Sequence, residues 1–175
     1  REFDVATRSF VPDGFALPEF KSEARWENDS TLLVATDWGP ESLTEAGYPR
    51  TLRRWRRGTP LADAEPVFEI PTTSTGIQPP LLIGAAGPGS MVVTRPIDTF
   101  VREYWLLLAD GTRRQLPLPT HANLLGAHAG SLLFRLNQGW EPGGVGPFSA
   151  GSLVAIPQQP LLTDSIIRQV QLVYE

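Results

Sequence analysis

The chain has 175 residues, 41% apolar and 19% charged, which suits one folded unit with a sizeable core and is too apolar for disorder. Its formal net charge of −4, with both signs scattered, excludes the strongly basic field that nucleic-acid partners demand. With no cysteine it has no disulfide, thiolate metal site or Cys nucleophile, and no run of about eighteen apolar residues offers a membrane span.

The first residues, Arg1-Glu2-Phe3-Asp4-Val5, show neither an initiator Met nor a charged-then-apolar leader. The chain therefore reads as cut from something longer, with the cytoplasm as the favoured compartment. Seventeen prolines and sixteen glycines suit short strands joined by many turns. The dominant hydrophobic period is two.

In chain order, residues 31–36 form a compact apolar run between turn formers and predict a buried strand. Residues 50–56 and 66–70 are further strand candidates. Residues 71–90 contain no charge and carry Pro79-Pro80, Gly84 and Gly87, which predicts a long connection between sheets. Ile77, Leu81, Leu82 and Ile83 would stay wet if this stretch were a linker between separate domains. Strand 91–95 follows. Asp110-Gly111, set between the apolar run 101–109 and residues 113–118, predicts a tight hairpin. Pro117 and Pro119 end its second strand, because proline donates nothing to the ladder. Residues 131–136 and 152–156 are strands, residues 160–165 hold at most one helical turn, and Val170, Leu172 and Tyr174 alternate with Gln169 and Gln171 as a half-buried strand.

Ala129-Gly130-Ser131-Leu132-Leu133-Phe134 echoes Ala150-Gly151-Ser152-Leu153-Val154-Ala155. The echo reads first as two strands entered from Gly-Ser turns, and second as equivalent strands of a repeated sheet. The fold class is all-β. On the second reading, with propeller blades of about 40–50 residues and four strands each, the chain, taken as a single unit over residues 1–175, would hold roughly four blades.

Chemistry is sparse. No Gly-x-Ser-x-Gly nucleophile elbow is present; residues 146–151 have the wrong spacing, and residues 126–130 place His128 at the centre. His121 and His128 lack metal-ligand spacing; His121 reads as exposed and His128 as a hydrogen-bonded structural residue. Gly143-Gly144-Val145-Gly146 lacks the helix that a dinucleotide loop needs. Glu103 with Asp110, and Asp63 with Glu65, are loosely placed carboxylates without the desolvation a general acid requires. No catalytic, cofactor-binding or metal residue is therefore assigned. The dense feature is the cluster Arg53, Arg54, Trp55, Arg56 and Arg57, with Arg50 before it. It reads as a solvated strand face paired with nearby acids, as an interdomain or partner surface, or, least well in an acidic chain, as a single-strand nucleic-acid platform.

Gly14-Phe15-Ala16-Leu17-Pro18-Glu19, residues 31–40 and above all Gly47-Tyr48-Pro49-Arg50-Thr51-Leu52-Arg53-Arg54-Trp55-Arg56-Arg57-Gly58-Thr59-Pro60-Leu61 resemble the propeller domain of bacterial prolyl-oligopeptidase-family proteins. The resemblance resumes at Val93-Thr94-Arg95-Pro96-Ile97-Asp98. Trp38 and Ala46 stand where that family is expected to carry Phe and Ser, and residues 71–90 lack its charges, which puts the strand there in doubt. The resemblance implies a seven-bladed propeller capping an α/β-hydrolase domain with a Ser-Asp-His triad, in a cavity admitting short peptides cleaved after proline. It places no triad residue on this chain. The implied partners are the catalytic hydrolase domain of the same polypeptide and short peptide substrates, with a stand-alone β-rich interaction module as the alternative. Open blade faces and sheet edges also lead to an expectation of self-association, most simply as a two-fold dimer.

Overall fold

A computed structural model of the chain describes every residue except Ala85, Ala86, Pro88, Asp164 and Ser165. The described residues form four antiparallel sheets, three of them four-stranded. Each four-stranded sheet is an up-and-down meander in which every strand pairs with its neighbour in sequence. This is the make-up of a propeller blade. The expected count of about four blades corresponds to three complete sheets and one two-stranded sheet.

The first compact unit is Arg1–Pro79. It opens with a short hairpin, β1 (Phe3–Asp4) against β2 (Ser9–Phe10), whose turn is held by the Asp4 carboxylate accepting the Ala6 amide at 2.8 Å. The first full sheet follows as β3 (Glu23–Asn28), β4 (Thr31–Ala35), β5 (Thr51–Arg56) and β6 (Glu65–Glu69). All five residues of β4 are buried, as its apolar run predicts, because it pairs on both edges and is covered on both faces. Asn28 Oδ1 accepts the Ser30 amide at 3.0 Å and closes the β3–β4 turn. Phe15, Leu32, Val34, Trp55 and Ala64 form a core on one face of this sheet.

The second unit is Pro80–Glu175. Its first sheet comprises β7 (Leu81–Leu82), β8 (Met91–Pro96), β9 (Arg102–Leu107) and β10 (Arg113–Leu116). The 71–90 stretch is thus not strandless: β7 occupies two of its residues and pairs Leu81 with Val92 and Leu82 with Met91. Ile77 and Ile83 are buried, as their apolar character requires. The β9–β10 hairpin forms where Asp110-Gly111 predicts it. Only Gly111, at φ 88°, takes a positive angle; Gly111 N donates to Leu108 O and Leu108 N to Thr112 O, giving a three-residue loop rather than a two-residue one. Strand β10 stops at Leu116, immediately before Pro117.

The last sheet comprises β11 (Ala122–His128), β12 (Ser131–Leu136), β13 (Leu153–Pro157) and β14 (Gln171–Tyr174), with helix α1 (Gln158–Thr163) between the last two strands. The helix starts two residues before the single turn expected at 160–165, whose last two residues lie outside the described ones. The sequence echo is the plainer of its two readings. Its copies fall on β12 and β13, adjacent strands of one sheet that pair Leu133 with Ala155 and Phe134 with Val154. The half-buried face expected at β14 is not there. Leu172, Val173 and Tyr174 are all exposed, because β14 is the outer strand and pairs only with β13. One core joins these two sheets, with Val92, Tyr104 and Leu106 packed among Leu132, Phe134 and Val154. Among the described residues no helix is long and apolar enough to cross a membrane.

Candidate functional site

Strand β5 reads Thr51-Leu52-Arg53-Arg54-Trp55-Arg56, and its pleat sends alternate side chains to opposite faces. Trp55 stands opposite Leu32 of β4 and Arg53 opposite Val34, whereas Arg54 stands opposite Leu33 and Arg56 opposite Thr31. The expected surface of Arg53, Arg54, Trp55, Arg56 and Arg57 is therefore divided between two sides of one sheet. Trp55 belongs to the core. It is 7% exposed, its ring lies 4.7 Å edge-on from Phe15, and its Nε1 donates to Thr59 O at 2.8 Å. An indole held this way offers no open ring for stacking a base, so the single-strand platform loses its aromatic member.

The arginines do pair with acids. Arg54 donates through Nε and Nη2 to both carboxylate oxygens of Glu27, at 2.7 and 2.6 Å. This two-point geometry is the strong form of the interaction, and it is partly buried. The Glu27 hydrogen bond raises the Arg54 pKa against the opposing pull of desolvation. Arg57 grips Glu2 in the same way, with both bonds at 2.8 Å. That pair lowers the Glu2 pKa and raises that of Arg57, in each case chiefly through the hydrogen bond between them. The Arg57 guanidinium carbon also lies 4.8 Å from the Phe15 ring centroid. Arg50 pairs with Glu69, and Arg56 with Glu65 at 3.4 Å in an exposed contact of little energetic weight.

Arg53 is organised differently. Its guanidinium carbon lies 4.6 Å from the Trp38 ring centroid, and its Nε is buried without a hydrogen-bond partner. Trp38 is itself fixed, its Nε1 donating to Thr51 O at 3.1 Å and its backbone N–H to Ser42 Oγ at 2.8 Å. The same unit carries a cleft of about 250 Å³ walled by Phe3, Phe15, Leu17, Trp26 and Leu32. Glu2, Glu27 and Trp38 are the organising residues that the sequence alone does not single out; register and chain reversal bring them to the arginines.

The near-miss catalytic strings do not build a nucleophile site. Residues 146–151 lie in the loop that leads into β13, a strand rather than the helix an elbow requires, and Ser149 Oγ bonds the exposed Glu175 carboxylate at 3.0 Å. His128 ends β11 and is exposed, not the hydrogen-bonded structural residue expected. His121 is half-buried rather than exposed, with Nδ1 3.3 Å from Thr120 Oγ1. Glu103 pairs with Arg95 on the adjacent strand at 3.0 Å. Asp110 accepts the Thr112 amide, and that bond holds its pKa below the usual carboxylate range. Asp110 therefore lacks the raised pKa of a proton donor. Among the described residues, no three His, Asp or Glu side chains converge as metal ligands.

No protein-family model matches the chain. An uncharacterized peptidase of Sinorhizobium fredii is 30% identical over 168 residues, covering 94% of this chain and 23% of that protein. An uncharacterized peptidase of Rickettsia prowazekii is 25% identical over 174 residues, covering 93% of this chain and 24% of its own length. The chain thus spans about a quarter of the curated relatives it matches. A solved post-proline cleaving enzyme from Rickettsia typhi superposes with a TM-score of 0.84 at 23% identity, over 99% of this chain and 27% of that one. By sequence and by fold together, the chain is a partial β-propeller that resembles a segment of prolyl-oligopeptidase-family peptidases.

Proposed function

We propose that this propeller segment is non-catalytic and limits which peptides reach a hydrolase domain carried elsewhere in the same polypeptide, selecting short, proline-containing ones. The observation that carries the reading is the extent of the match: the relatives are peptidases, and the chain corresponds to only 23% and 24% of their length. Catalysis belongs to a site and not to a fold, so the peptidase chemistry is assigned to the remainder of the polypeptide.

Two assays test the reading. The 175-residue chain should release no chromophore from a Gly-Pro p-nitroanilide substrate, whereas the longer polypeptide that contains it should. Turnover by the chain alone ends the non-catalytic assignment. For the gating role, cleavage by the longer polypeptide should fall with increasing length of a series of proline-containing peptides, and equal rates for short and long members refute selection by size.

A further inference from the structure

We propose that the open edge of β1 is the pairing site for an apolar β-strand of the longer polypeptide, drawn from the residues just before Arg1. On this assignment β1 and β2 are the third and fourth strands of a further blade. It rests on the reading that the chain is a segment of a larger peptidase. The three complete sheets share one rule: their four strands run in sequence order, each paired with the next. The pair β1 and β2 stands apart, and the strand that follows it, β3, already opens a different sheet. By the same rule, the two strands that complete this sheet precede β1. The third strands of the complete sheets, β5, β9 and β13, each pair on both sides. Among the described residues, β1 pairs on one side.

The edge is exposed and already held in position. Glu2 O accepts the Val11 amide at 3.2 Å, so strand alternation turns the Phe3 N–H and C=O away from β2. No strand lies on that side among the described residues. A ladder of two residue pairs, Phe3 with Phe10 and Asp4 with Ser9, is too short to stand by itself. The hairpin is fixed instead through Glu2, which grips Arg57 and donates its amide to Phe15 O at 2.7 Å. Beside it opens the cleft of about 250 Å³ walled by Phe3, Phe15, Leu17, Trp26 and Leu32, where Phe3 is 49% and Trp26 45% exposed. An unpaired edge next to unfilled apolar walls calls for a strand that brings both backbone bonds and apolar side chains. The chain's own second strands define that chemistry. Each carries three consecutive apolar residues: Leu32-Leu33-Val34 in β4, Met91-Val92-Val93 in β8 and Leu132-Leu133-Phe134 in β12. Their links to the third strands, residues 36–50, 97–101 and 137–152, hold 15, 5 and 16 residues. The partner is thus a strand with such an apolar triplet, joined to Phe3 by a link of 5–16 residues.

Hydrogen exchange read by mass spectrometry, on the 175-residue chain and on the longer polypeptide, tests the edge. The Phe3 amide should exchange at least about tenfold more slowly in the longer polypeptide, with the apolar strand before it protected as well. F3P removes that amide, and F3A controls for the lost ring. In the longer polypeptide F3P should melt below F3A; in the 175-residue chain the two should melt together. Equal exchange of Phe3 in both proteins, or equal melting of F3P and F3A in the longer one, overturns the proposal. Protection of Phe3 that rises with concentration in the 175-residue chain makes a second copy the occupant and overturns it too. Cleavage of the Gly-Pro substrate is read separately. A longer polypeptide that pairs at Phe3 yet cleaves nothing sinks the peptidase reading and leaves the edge assignment standing.

Discussion

The Tyr104 hydroxyl donates to the Ala122 backbone carbonyl at 2.7 Å, tying β9 of one sheet to the first residue of β11 in the next. Tyr104 is buried, and its ring packs edge-on against Phe134 at 5.1 Å. Tyr104→Phe keeps the ring and leaves the Ala122 carbonyl without its donor. A loss of about 1–2 kcal/mol in unfolding free energy is expected, read from urea denaturation.

The same hydroxyl sets a pH limit. Desolvation foremost pushes the Tyr104 pKa up from 10.0 to about 12. A group that stays neutral in the folded state and ionises more readily when unfolded contributes stability below pH 10 and loses it as the pH rises toward 12. Absorbance at the tyrosinate wavelength should therefore show Tyr104 ionising only well above pH 10, together with loss of tertiary structure.

Glu2 behaves in the opposite sense. Its pKa is lowered, chiefly by the Arg57 hydrogen bond, so its contribution is present above the ordinary carboxylate pKa and disappears as the pH falls through the depressed value. Glu2→Gln should loosen the first fifteen residues at neutral pH without unfolding the sheets. Faster hydrogen exchange of the Glu2 and Phe15 amides, which bond Phe15 O and Glu2 Oε2, is the readout.

Trp55→Ala should destabilise the first unit by about 3–5 kcal/mol, the range for removing a large aromatic side chain from a packed core. Trp55→Phe should cost less, and the remaining loss reports on the unpaired Thr59 carbonyl. If Trp55 were a surface contact residue, both variants would unfold at the denaturant concentration of the parent chain.

Gly111→Ala isolates backbone strain from packing. A Cβ at this position meets nothing within 4 Å, yet φ is 88°. A loss of about 1–2 kcal/mol is expected from the left-handed conformation alone. Thermal unfolding of the variant checks it.

Strand β14 presents Leu172, Val173 and Tyr174 to solvent, with Tyr174 72% exposed, and has one unpaired edge. Light scattering at micromolar concentration should find the chain self-associated. Val173→Lys should shift it toward monomer, because a charge on an open edge opposes further pairing.

Much of the fold is legible because apolar side chains and turn formers act locally. The run from Leu32 to Ala35 declares a buried strand by itself, and Gly111 supplies the one backbone angle its hairpin needs. Strands β3 and β11 escape detection because neither carries an apolar alternation, and β3 is almost wholly exposed; Glu23-Ala24-Arg25-Trp26-Glu27-Asn28 becomes a strand only because β4 offers an edge. The site is less legible for the same reason. That the arginines would find acids follows from composition, but Glu27 for Arg54 and Glu2 for Arg57 lie 27 and 55 positions away, and only register selects them. The pleat of β5 likewise splits a cluster that looks continuous along the sequence.

Because every four-stranded sheet pairs consecutive strands, each can close as its last strand leaves the ribosome, with no partner still to be made. Glu2 is the exception in the first unit: it must wait until Arg57 has been synthesised before its carboxylate is gripped. Until then the opening hairpin is held, within this chain, only by bonds among the first fifteen residues, so a nascent chain paused before Arg57 would carry it without its anchor to the first full sheet.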